Sequence, residues 1–331
     1  MNRLLVSLAS FWSWLFLLLL VVFFEIFARV EYGNSFIFNL NNIQSILLAM
    51  VLPLLMALGQ TLVIIAGGID LSVGFAVGLA AVSAAIMMRL LEPSAAPWVA
   101  FLAGAATAIV AAAILGFING LLIARLGVPP FIGTLGMYGV AQGTGYLLAS
   151  FLAAGATVPT NNAFNSAVGN QFIFGIFPIP VLITLVIVLA MHYLLSQTKF
   201  GQYTYAIGGN RQAAIRAGIN VNRHTLQLYV LSAVLAGIAG IIYTARFTAG
   251  SAQAGEPILL SSIAAVVIGG ASLFGGAGTI VGTVIGALII AVIQFGLVFI
   301  NVQPFWQFIA VGLVIILSVL VDQSKSKVVN R

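Results

Sequence analysis

Between residues 5 and 321 the chain is one apolar run after another, parted by short polar turns. A helix that crosses a bilayer needs about 20 consecutive apolar residues, and most of these runs reach that length. Hydrocarbon offers no hydrogen-bond partners, so a chain of this kind must close its backbone bonds inside helices. The runs fall at about 5–24, 43–66, 71–90, 98–124, 131–153, 177–196, 225–246, 258–274, 279–300 and 305–321. The pattern predicts an all-α polytopic membrane protein of about ten transmembrane helices. Some should be broken, where Gly pairs and polar residues interrupt the second, third and eighth runs.

Composition narrows the function. Hydrophobic residues make up 62% of the chain and charged residues 5%. A soluble domain is about one-quarter charged, which excludes a soluble enzyme, a disordered chain and a coiled coil. With no cysteine there is no disulfide framework and no thiolate chemistry. The first run is too long for a signal-peptide core and lacks a small-x-small cleavage site before Glu25, so it reads as the first span. Residues 25–42 then read as an outside loop.

The net charge of +6 fits a cytoplasmic excess of Lys and Arg better than nucleic-acid binding. Ten spans from an inside start put Arg3, Arg125, Lys199, Arg211, Arg216, Arg223, Lys325, Lys327 and Arg331 in the cytoplasm. Arg29, Arg89 and Arg246 fall outside, and both termini are cytoplasmic. The whole of 1–331 reads as a single transmembrane domain, with a basic loop at 197–224 and a basic tail at 322–331. No P-loop, HExxH or GxSxG pattern occurs. Energy for any transport must come from another chain or an ion gradient.

Four features could carry function. In Gln60–Gly74 (QTLVIIAGGIDLSVG), a carboxylate sits in an apolar stretch beside paired glycines. Such a carboxylate is costly unless solvated or paired, and Gly67 and Gly68 let the backbone break. Asp70 and Ser72 either flank a discontinuous helix near a substrate path or gate, or Asp70 simply N-caps the next helix. The loop 197–224 carries Lys199, Arg211, Arg216 and Arg223 and no acid. It should hold a short helix from Arg211 to Ala217, entered by Gly208-Gly209-Asn210, N-capped by Asn210 and closed by a left-handed Gly218. Gly209 and Gly218 are both expected at positive φ. Such a segment is either a solvated, topology-fixing loop or an element that docks into a partner.

Polar residues inside spans form the third feature: Gln60, Thr61, Asn119, Thr134, Gln142, Thr144, Ser272, Gln294 and Asn301. They can bond sugar hydroxyls, or tie helix to helix. The fourth is glycine, 35 residues in all. Spacings such as Gly282/Gly286, Ala233/Gly237 and Ala236/Gly240 predict close helix packing. Glu256, beside Pro257, is either an external docking charge or a solvated loop acid.

Four blocks together resemble the permease subunits of bacterial ABC importers for pentoses and hexoses. They are QTLVIIAGGIDLSVG at 60–74, GFINGLLIARLGVPPFIGTLG at 116–136, FGQYTYAIGGNRQAAIRAGINVNRHTLQLYVLSAVLAGIAG at 200–240 and IAAVVIGGASLFGGAGTIVGTVIG at 263–286. The resemblance implies a multi-pass protein of the bacterial inner membrane. It also implies two permease chains, an ATPase with two nucleotide-binding halves and a periplasmic sugar-binding protein. ATP and Mg would sit on the ATPase, and this chain would bind no cofactor. By the same resemblance, Gly201, Ala206, Gly208, Gly209, Asn210, Ala213, Ala214 and Gly218, with Arg211 among them, form the coupling element. Gln60, Thr61, Gly67, Gly68, Asp70, Ser72, Asn119, Thr134 and Gln142 are then candidates for the pathway or its gate. The sequence departs from the pattern at Leu259 and Ser261, where many relatives carry acids, and at Gln212. The rival classes are an ion-coupled transporter and a membrane-embedded enzyme. The first should show paired ionisable residues or a clear repeat, and neither is evident. The second needs more intramembrane chemistry than Asp70 alone.

Overall fold

The computed structural model describes residues 12–92, 94–153, 155–303 and 305–329, with side chains through Leu317. Arg3 and Arg331 lie outside the described residues, as do the side chains of Lys325 and Lys327. In chain order the elements are α1 (Trp12–Tyr32), α2 (Leu40–Ile65), α3 (Val73–Leu91), α4 (Pro97–Ala124), α5 (Pro130–Leu152), β1 (Thr157–Pro159) and α6 (Ala163–Gly169). They continue with β2 (Phe172–Ile173), β3 (Phe177–Pro178), α7 (Ile179–Gln197), α8 (Lys199–Gly209), α9 (Arg211–Arg216) and α10 (Val221–Phe247). The last are β4 (Ala249–Ser251), α11 (Leu259–Ile268), α12 (Ile280–Phe299) and α13 (Phe305–Val329).

Among the described residues, seven helices are long and apolar enough to cross a membrane: α1, α2, α3, α4, α7, α10 and α12. Their ends follow local chemistry. Pro97, Pro130 and Pro180 sit in the first turns of α4, α5 and α7, where a missing amide costs nothing. Asn39, Asn220 and Thr279 cap α2, α10 and α12 with side-chain oxygens.

α10 is the hub, packed against α2, α3 and α4. Small residues let the backbones close up: Gly237 faces Ala112, Gly240 faces Val77 and Ala80, and Gly116 faces Ala233 and Tyr229. Gly282 and Gly286 meet the backbone of Gly269 and Ala265 in the same way. The small-residue spacings thus mark true helix contacts.

Three expectations change. The first helix does not stop at Glu25 but runs on to Tyr32. The Glu25 carboxylate accepts the amides of Phe36 at 2.8 Å and Ile37 at 3.1 Å and pairs with Arg29 at 2.6 Å. Its polar demand is met while it stays helical. The eighth run holds a helix of only ten residues, α11, about 15 Å long and half a bilayer deep. Finally, the chain is not purely helical. β1 pairs antiparallel with β4, Val158 opposite Gly250, and β2 pairs with β3.

Candidate functional site

The break between α2 and α3 is built by its glycines. Gly67 takes φ +83, which a Cβ would oppose. The amides of Gly67 and Gly68 turn back to the carbonyls of Ile64 and Val63, each at 2.9 Å. This folds residues 69–72 into the protein. Asp70 is 1% exposed and, among the described residues, has no ion-pair partner. Its Oδ1 accepts the Ser72 amide at 3.0 Å and the Ser72 hydroxyl at 2.6 Å, and its Oδ2 faces the Ser232 hydroxyl at 3.4 Å.

The surrounding amides extend the network, with the buried Asn119 Oδ1 left without a partner among the described residues. Gln60 donates its Nε2 to the Asp70 carbonyl and accepts the Asp70 amide at 3.3 Å. Asn119 donates to the Ser72 hydroxyl at 2.8 Å. The Thr134 hydroxyl accepts the Leu71 amide at 3.1 Å and donates to backbone carbonyls, with Ile69 O at 3.2 Å and Pro130 O at 2.9 Å. Residues from α2, α4, α5 and α10 therefore fasten one broken segment. Asp70 is not the N-cap of α3. Ser72 holds that position with no side-chain cap bond, and Asp70 acts two residues earlier, on the Ser72 amide and hydroxyl. The carboxylate ties the Ser72 amide and hydroxyl to the Ser232 hydroxyl across the break.

The other sequence candidates divide. Gly68 joins the break, where a Cβ would meet the Tyr229 hydroxyl at 2.6 Å. Thr61 lies elsewhere on α2, with its hydroxyl 2.6 Å from Thr283 of α12. Gln142 stands half-buried on α5, outside the network, beside the exposed Gly143 and Thr144. Gln294 bonds Ser261 at 3.2 Å, Leu259 is buried near Gly74, and Glu256 is exposed. Ser232, Tyr229 and Thr283 were missed as site residues. Ser232 had a signal, the one serine in the apolar run VLSAVLAG.

The basic loop is more ordered than expected. It contains two helices, and it ends at Asn220, because Arg223 and His224 already belong to α10. α9 has the predicted start and stop: Asn210 Oδ1 accepts the Ala213 amide at 2.9 Å, and Gly218 has φ +81. Gly208 and Gly209, however, do not form the entry to this short helix. They are the last residues of α8, and Gly209 has no positive φ. Gly201 is pressed on the Leu195 backbone, and Ala214 is buried with Ile207 and Val221. Gly209, Asn210, Arg211, Ala213, Ile215, Arg216 and Gly218 are exposed.

A second break follows α11. Gly269-Gly270-Ala271-Ser272-Leu273 repeats the order of Gly67-Gly68-Ile69-Asp70-Leu71. Gly270 has φ +90, so the left-handed residue is the second glycine here and the first at Gly67, and the Ser272 hydroxyl accepts the amide two residues on, Phe274, at 3.3 Å. Asp70 and Ser72 make the equivalent turn.

Comparison with known proteins agrees with the blocks above. A family described as branched-chain amino acid transport system / permease component matches residues 42–319. The chain is 38% identical over 314 residues to the ribose import permease protein RbsC of Escherichia coli (strain K12), covering 92% of this chain and 93% of that protein. It is 34% identical over 312 residues to the galactose/methyl galactoside import permease protein MglC of the same strain, covering 92% and 93%. It is 36% identical over 277 residues to the fructose import permease protein FrcC of Rhizobium meliloti, covering 81% and 74%.

Proposed function

The chain belongs to the family of transport-system permease components that includes these ribose, galactose and fructose import permeases, and from that premise we propose that it is the membrane permease of an ATP-driven sugar importer. It resides in the bacterial inner membrane and makes or breaks no covalent bond. The carrying observation is the 38% identity to a ribose import permease along 92% of the chain. The family description names branched-chain amino acids, but the relatives matched nearly end to end carry sugar names.

In this reading ten membrane segments start and end in the cytoplasm. α11 crosses only part of the membrane and the segment after it completes the crossing, as irregular backbone covered by protein can. Two permease chains pair, an ATPase with two nucleotide-binding halves holds ATP and Mg, and a periplasmic sugar-binding protein delivers substrate. The ATPase grips the exposed face of α9, with Asn210, Arg211, Ala213 and Ile215, while Gly201, Gly208, Ala214 and Gly218 keep α8 and α9 seated. Gly209 leaves the α8–α9 junction open for contact.

The pathway candidates then have two jobs. Gln60, Gly67, Gly68, Asp70, Ser72, Asn119 and Thr134 hold the break in one of its states, as a gate hinge. Thr61 ties α2 to α12. Gln142 lies next to the open face of α5, where Gly136, Gly139 and Gly143 meet nothing within 4 Å, and there an amide can touch sugar hydroxyls. Weak contacts of this kind suit passage, since tight binding would stall release.

The test is uptake in proteoliposomes holding the permease, its ATPase and its binding protein, offered ribose, galactose, fructose, allose and leucine. The expected result is ATP-dependent accumulation of a sugar. Gradient-driven uptake without the ATPase, or uptake of leucine alone, contradicts the reading.

A further inference from the structure

Ile65 is the last residue of α2, so its carbonyl has no partner within the helix. That oxygen accepts the amide of Gly276, from the second break, at 2.8 Å. Gly208 of α8 lies against the same carbonyl, and a Cβ there would overlap it and stand 2.6 Å from the Gly276 nitrogen. Gly275, at φ +89, closes the arrangement: its Cβ position is 2.9 Å from the Gly208 carbonyl and 3.2 Å from the Cα of Gly67. One turn earlier on α8, the Tyr205 hydroxyl donates to the carbonyl of Gly278 at 2.7 Å. Burial pushes this phenol above its ordinary range, so it remains a donor.

Three glycine-bearing segments thus meet backbone to backbone. With no flexible side chains between them, displacement of one is passed to the others, because close-packed interiors transmit strain. Asp70 lies three residues beyond Gly67, and Ser272 three residues before Gly275.

We infer that α8 fastens the two breaks into one moving unit, and that Tyr205 is the positioning residue that holds the second break to it. The inference rests on the permease reading above. A stroke arriving through α9 then moves both breaks together. Without the Tyr205 bond the second break lags, and ATP is consumed while less sugar crosses.

The test uses Tyr205→Phe, which keeps the ring and removes the donor, in proteoliposomes with ATPase and binding protein. Tyr193→Phe, at an exposed ring on α7, is the control. The readout is sugar moved per ATP hydrolysed. The Tyr205 variant should keep its stimulated hydrolysis while that ratio falls about threefold or more, the scale of one lost interhelical bond. An unchanged ratio overturns the inference, as does a parallel fall of both activities with lowered melting temperature, which marks a merely structural role. If the unsubstituted complex shows no ATP-driven uptake, the permease reading fails and the inference goes with it. Spin labels at the exposed Gln202 and Phe274 give a second reading. Their separation should stay constant with and without ATP and broaden in the Tyr205 variant. A nucleotide-dependent change in the unsubstituted complex overturns the inference.

Discussion

Gly208 sits directly on the backbone carbonyl of Ile65, with no room for a Cβ, whereas its neighbour Gly209 faces open space. Adjacent glycines therefore have opposite tolerances. Gly208→Val must push apart α2, α8 and the second break, at a cost of about 1–3 kcal/mol or more. Gly209→Ala removes backbone freedom at a helical position and should stabilise by a few tenths to about 1 kcal/mol. Melting temperatures in detergent check this. Equal loss in both variants would contradict the packing described.

Asp70 gives a graded test. Asp70→Asn keeps one carbonyl-type acceptor for Ser72. Asp70→Leu leaves the buried Ser72 amide and the Ser232 hydroxyl without their acceptor, a cost of about 1–3 kcal/mol. Thermal unfolding should rank the unsubstituted protein first, Asn second and Leu last. A Leu variant as stable as the unsubstituted chain would show that the network fastens nothing.

The break itself was legible because Gly67, Gly68 and Asp70 contradict their apolar setting in three ways at once: conformational freedom, charge and position. The α9 helix was legible because Asn210 and Gly218 are strong end signals. What closes the site was not legible. Ser232 and Tyr229 sit on α10, 162 residues from Asp70 in the case of Ser232, and a serine that stands out in an apolar run does not say which distant group it meets. α8 was missed because its mixed composition, KFGQYTYAIGG, resembles a loop when read without its burial pattern. The extent of α1 was misread because the amides of Phe36 and Ile37, which satisfy Glu25, come from the chain beyond the helix.

Thr61 and Thr283 join α2 to α12 through one hydroxyl pair at 2.6 Å. A double-mutant cycle with Thr61→Val and Thr283→Val should return a coupling of about 0.6–2 kcal/mol. Additive losses would mean that the pair contributes nothing as a pair.

Gly218 ends α9 at φ +81. Gly218→Val forces a β-branched residue into the left-handed region, at a cost of about 1–2 kcal/mol, while Asn tolerates that region. ATP-driven uptake should fall in the Val variant and persist largely intact in Gly218→Asn. Similar uptake in all three proteins would remove the turn from the coupling element.

The sequence contains no cysteine, so a single introduced thiol reports sidedness without background. Ala217→Cys, after α9, and Asn161→Cys, after β1, are both exposed positions. A membrane-impermeant maleimide should label Asn161→Cys in intact cells and Ala217→Cys only in inverted vesicles. The reverse pattern would overturn the topology.

The most direct measurement places a photo-crosslinking residue at Ile215, on the exposed face of α9, in the assembled transport complex. An adduct with the ATP-hydrolysing chain, formed on the cytoplasmic face, is the predicted result. No adduct with that chain, or one formed only with a periplasmic protein, would contradict the account.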